Sequence, residues 1–142
     1  MNLMPDPDHL SQAMSSAMAP AFLLGAVAAY ISVLLGRAAI ILDRLRSLNE
    51  IADGPARARL KAEIPLLLQR AKLIKSAAHL AFASGMCTSL LLIVVFVSAL
   101  YSFRHQYGAA ILFGAAIGLL GTALYKFGQE VRMSFSELDF YR

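Results

Sequence analysis

The chain has 142 residues, with 58% hydrophobic residues, 15% charged residues and a formal net charge of +4. A soluble domain carries about 25% charge, so a chain this apolar is excluded as an ordinary water-soluble domain. The length suits one domain rather than two, and the single Cys87 excludes an intrachain disulfide or a thiolate metal cluster.

Residues Met1–His9 form a short polar lead-in with Pro5 and Pro7. They lack the basic stretch of a cleaved signal peptide, so the first apolar segment is expected to stay in the protein. Leu10–Gly36 contains no Lys, Arg, Asp or Glu, and a helix needs about 17–25 apolar residues to cross a bilayer. Pro20 fits the first turn of a helix, where its missing N–H costs little. The first span is therefore placed at about 20–41, and the stretch before it either lies at the interface or forms the first turn. No stop signal precedes Asn49, so one helix is expected to leave the membrane near Arg37 and run on to about Leu48.

"NEIADGP" clusters Asn, Asp, Gly and Pro and marks the clearest turn. A second helix is predicted after it, capped by Asp53 or Gly54 with Pro55 at its first position. This helix runs toward a second span at about 77–101, within the charge-free Ser76–Phe103. Pro65 either kinks it or starts a new helix. "SFRHQYG" reads as a tight polar turn, and the charge-free His105–Tyr125 holds a third span at about 109–125. Residues 126–142 read as a mildly amphipathic tail. The whole is an all-α integral membrane domain, with a helical hairpin at about 42–76 between spans one and two.

Nine of the thirteen Lys and Arg lie between Arg37 and Lys75, whereas the other loop carries Arg104 alone. The positive-inside rule then makes the hairpin cytoplasmic, with the N-terminus outside and the C-terminus inside. With the hairpin turn centred near Ala52, antiparallel pairing sets Asp43 beside Arg59 and Lys61, and Glu63 beside Arg44 and Arg46. Asp43–Arg46 and Arg46–Glu50 are also helical neighbours. One reading makes these charges ion pairs that hold the hairpin. A compatible one makes Arg37, Arg44, Arg46, Arg70, Lys72 and Lys75 a basic collar for anionic headgroups or an acidic partner.

Small residues recur at helical spacing in every span: Gly25, Ala29, Ser32 and Gly36; Ala77, Ala81, Ser84 and Thr88 with Gly85 beside them; and Gly114, Gly118 and Gly121. Such residues let helix backbones approach in lipid. They are expected to pack the three helices of one protomer, or, in the third span above all, to meet a second protomer or a foreign subunit. Of the polar groups at membrane depth only His79 is ionisable, and it has no intramembrane partner for haem or metal ligation. The chain shows no nucleophile–base pair, phosphate-binding loop or metal-ligand spacing, and its basic residues flank spans rather than form a nucleic-acid surface. No cofactor and no enzymatic activity are expected.

"RAAIILDRLRSL" after the first span resembles the Arg…Asp-Arg-x-Arg-x-Leu signature of a widespread, uncharacterised family of small bacterial membrane proteins with three spans. "LLLQRAKLIKSA" before span two and "FGQEVRMS" after span three are placed as in that family. The resemblance covers about Met18 to Ser134 and rests on Arg37, Asp43, Arg44, Arg46, Arg70 and Glu130. Pro65 departs from the uninterrupted helix the family implies. The resemblance implies a bacterial cytoplasmic membrane and no known activity. It also draws notice to Glu130, expected to pair with Arg37 or Arg70 and tie the third span to the hairpin. The functional expectation is a non-enzymatic membrane protein acting by helix association, as a homo-oligomer or a small accessory subunit. The alternative is an oligomeric pore lined by Ser32, Thr88, Ser98 and Thr122.

Overall fold

The computed structural model describes residues 7–51, 54–101 and 106–140, with the side chains of 56, 57, 59, 101, 106 and 137–140 outside that description. Four helices follow in order: α1 (Pro7–Glu50), α2 (Pro55–Lys61), α3 (Ile64–Tyr101) and α4 (Gln106–Phe140). No strand occurs among the described residues. Helices α1, α3 and α4 are each long and apolar enough to cross a membrane. At 1.5 Å per residue, the 44 residues of α1 reach about 66 Å, roughly twice the hydrocarbon core. The long helices therefore continue well past the apolar layer, as the charged residues at their hairpin ends require.

The elements differ from the sequence reading at the start of α1 and the extent of α4, and they decide the choice left open at Pro65. Helix α1 begins at Pro7, so Pro20 lies in its interior rather than in a first turn. A membrane helix tolerates such a proline where neighbouring groups take up the freed carbonyl. Pro65 starts a helix: α2 stops at Lys61, and Pro65 follows Ile64 in the first turn of α3. There the ring needs no N–H partner, while the Glu63 carbonyl accepts from the Leu67 amide at 3.1 Å. Helix α4 starts at Gln106 and carries the tail with it to Phe140. Asp53 and most of the "SFRHQYG" turn, including Arg104 and His105, lie outside the described residues.

The chain divides into two compact units. The first takes Met1–Tyr30 and Ala81–Leu120. Its buried residues are mostly small: Ala13, Ala17, Val27, Ala81, Ser84, Thr88 and Ala116, with Leu91. Its large apolar side chains, among them Phe22, Phe82, Ile93 and Ile111, face outward. This reverses the order of a water-soluble core, and it suits helices that have no hydrophobic reason to leave lipid and associate by close backbone approach. Gly85 shows that approach, because a methyl group on it would lie 3.4 Å from Val27 Cγ1 of α1. Ser84 Oγ donates to the Ala116 carbonyl at 2.7 Å and links α3 to α4, while Thr88 Oγ1 donates back to the Ser84 carbonyl at 2.8 Å.

The second unit takes Ile31–Leu80 and Gly121–Arg142. Its core is bulkier, with Leu34, Ile41 and Leu48 from α1 and Leu67, Ile74 and Ala77 from α3. Helix α4 contributes Ala123 and the wholly buried Glu130. The buried positions recur every seven residues, as Leu34, Ile41 and Leu48 on α1, Leu67 and Ile74 on α3, and Ala123 and Glu130 on α4. That is the spacing of a coiled-coil seam. Glu130 therefore occupies a position where such a seam ordinarily holds an apolar side chain.

Candidate functional site

A carboxylate buried at a seam position is costly unless it is paired and fully hydrogen-bonded. Here three helices meet that demand. Arg37 of α1 donates through Nη1 to Glu130 Oε2 at 2.7 Å. Arg70 of α3 donates to Oε1 through Nε at 3.0 Å and through Nη2 at 2.9 Å. Each carboxylate oxygen thus belongs to a different arginine on a different helix. The Glu130 side chain is 0% exposed, Arg70 14% and Arg37 34%, so the cluster opens on the Arg37 side. The Arg37 guanidinium also lies 5.4 Å from the centre of the Phe127 ring, a cation–π distance. Two arginines on one glutamate leave a formal surplus of one positive charge.

The other expected ion-pair residues are arranged as follows. Arg44 Nη2 meets Glu63 Oε2 at 3.2 Å, joining α1 to the start of α3. Asp43 meets Arg46 on its own helix at 3.6 Å. This replaces the pairing of Asp43 with Lys61, since Lys61 forms no ion pair among the described residues. The side chain of Arg59 lies outside the described residues. Both surface pairs are half exposed or more at the arginine and are worth about 0–1 kcal/mol each. Of the six residues read as a basic collar, Arg37, Arg44, Arg46 and Arg70 are thus committed to acids, which leaves Lys72 and Lys75.

The small-residue stripes separate into two kinds. Ala81, Ser84 and Gly85 of α3 are buried in the first unit. Gly25, Ala29, Ser32 and Gly36 of α1 are exposed, as are Gly114, Gly118 and Gly121 of α4. These two stripes thus lie at the surface of the chain rather than in its buried core. A methyl added at Gly25, Gly36, Gly114, Gly118 or Gly121 would meet nothing within 4 Å. Cys87 is a free thiol of intermediate burial, and no group of three metal-ligating side chains occurs among the described residues.

Sequence reasoning overlooked two contributors. Phe127 stands one turn before Glu130, so it shares that face of α4 and reaches Arg37; an aromatic at that spacing is the signal. Ser84 counts in the sequence as a small residue and as a polar group at membrane depth, but its partner, the Ala116 carbonyl, follows only from the close approach that small residues permit.

A family model described as "Protein of unknown function (DUF2721)" matches residues 17–140, which include Arg37, Arg70, Glu130 and both outward stripes. No curated protein and no solved structure matches the chain. With the match spanning nearly all of three apolar helices, the chain belongs to the DUF2721 family of proteins of unknown function.

Proposed function

We propose that this protein acts without catalysis, by helix association in the bacterial cytoplasmic membrane, as a homo-oligomer or as a small accessory subunit of a larger membrane complex. The observation that carries the reading is the outward face of α4. Gly114, Gly118 and Gly121 lie on one stripe, each exposed and with open space where a side chain would be. Glycine costs a helix about 1 kcal/mol relative to alanine, and close backbone approach by a neighbouring helix offsets that cost. The α1 stripe of Gly25, Ala29, Ser32 and Gly36 offers a second face of the same kind.

A pore finds less support. Of the four hydroxyls suited to line one, Ser32 and Thr122 are exposed and Ser98 is half-buried, but Thr88 is buried and bonded within α3, so the four do not share one outward face. The concentration of Lys and Arg between Arg37 and Lys75 supports a cytoplasmic hairpin, with the N-terminus outside and the C-terminus inside. Thiol labelling of Ser47→Cys, in a Cys87→Ser background, should then require a reagent that enters the cell; labelling by an impermeant reagent reverses the orientation.

Gentle solubilisation followed by native mass spectrometry tests the association. A particle heavier than one chain is expected, either a whole multiple of it or one copy with a foreign subunit. A single chain under every detergent mild enough to preserve known complexes would reject the reading.

A further inference from the structure

Helices α3 and α4 leave an open groove of about 500 Å³ in the second unit, lined by Gln69, Leu73, Gln129, Arg132, Met133 and Ser136. That volume lies within the range of about 300–1,000 Å³ typical of small-ligand clefts. We propose that this groove binds the headgroup of an anionic phospholipid, with Arg132 as the main phosphate contact.

Three observations support this. The first is charge. Arg132 is exposed and forms no ion pair among the described residues, unlike Arg37, Arg44, Arg46 and Arg70. Lys72 stands one turn from Gln69, and Lys126 one turn from Gln129, so two further cations border the groove on its membrane side.

The second is hydrogen bonding. Gln69 and Gln129 are exposed on opposite walls and carry amide N–H donors for phosphate oxygens. Ser136 gives its proton to the Met133 carbonyl at 2.9 Å, which leaves its oxygen as an acceptor for a headgroup hydroxyl. A fork of guanidinium and amide donors suits a phosphodiester better than a point charge would.

The third is depth, which favours a lipid over a free anion. Lys75 is the last charge before the apolar run of α3, and Lys126 is the first after that of α4. At 1.5 Å per residue the α4 lining, Gln129 to Ser136, begins about 5 Å beyond Lys126, so the groove lies at the level of the headgroups, just outside the acyl chains. Leu73 and Met133 supply an apolar lining in the same groove, and Phe135 is exposed one turn from Arg132. A soluble anion would have no use for them. The inference does not depend on self-association, only on insertion of the helices in a membrane.

Native mass spectrometry of the full-length, delipidated protein in detergent, with dioleoylphosphatidylglycerol or dioleoylphosphatidylcholine added at equal concentration, tests the site. The wild-type protein should retain the anionic lipid in clear preference. Arg132→Gln should lower that retention about fivefold, the equivalent of one cation near an anionic surface. Gln69→Leu should lower it too, and Arg46→Gln, which removes an equal charge elsewhere, should not. All three side chains are exposed, and unchanged melting temperatures establish that the variants are folded. Equal retention of the two lipids, or equal losses from Arg132→Gln and Arg46→Gln, would overturn the site. Full displacement of the lipid by millimolar inorganic phosphate would make the occupant a free anion and overturn the lipid assignment.

Discussion

Glu130 divides its two oxygens between arginines that arrive on different helices, and this division makes it structurally hard to replace. Glutamine keeps the shape and one acceptor but loses the charge, and its NH2 group points donors at donors. Breaking a buried pair by removing one partner costs about 3–5 kcal/mol. Glu130→Gln is therefore expected to destabilise the detergent-solubilised protein by about 3 kcal/mol, seen as a lower thermal midpoint. Arg70→Gln should cost more than Arg37→Gln, because Arg70 is more buried and gives two of the three hydrogen bonds. A variant series in which Glu130→Gln melts with the wild type would show that the cluster does not hold the three helices. That Glu130 seeks an arginine followed from the family resemblance taken with its place just past an apolar span, on the same side as the basic segment. That it takes both arginines was not legible, since spacing along separate helices does not say which guanidinium lies nearer.

At the scale of the helix, the glycines sort by what surrounds them. Gly85 of α3 faces Val27 and Leu24 of α1, and a methyl on it would lie at ordinary contact distance, 3.4 and 4.0 Å from their side chains. Gly85→Ala is expected to leave thermal stability unchanged or raise it by up to about 1 kcal/mol through helix propensity. Gly85→Leu should lower it by about 1–3 kcal/mol, as overpacking does. Equal stability of the two variants would mean that α1 and α3 do not approach there. Helix existence and the "NEIADGP" turn were legible from charge-free runs and turn chemistry. The face each helix buries was not. In a water-soluble helix the apolar stripe marks the core, whereas in these spans every face is apolar and periodicity loses its contrast. Small residues mark close approach, but Gly85 and Gly118 look alike until the neighbouring helix is in place. Pro20 misled as well: its position suits a helix start, yet α1 begins at Pro7 and continues through it.

For the molecule as a whole, the two kinds of small-residue stripe give a division of labour. Ala81, Ser84 and Gly85 bring the protomer's own helices together, supported by the Ser84 bond, which is worth about 0.6 kcal/mol by comparison with similar contacts in lipid. Gly114, Gly118 and Gly121 are left facing out. If association is the function, the two classes must respond oppositely to bulk. The most direct measurement compares Gly114→Leu and Gly118→Leu with the wild-type protein by native mass spectrometry and thermal melting in the same mild detergent. The proposal predicts variants that melt like the wild type but run as a single chain. Variants that keep the wild-type mass would contradict it, because the outward face of α4 would then have no partner.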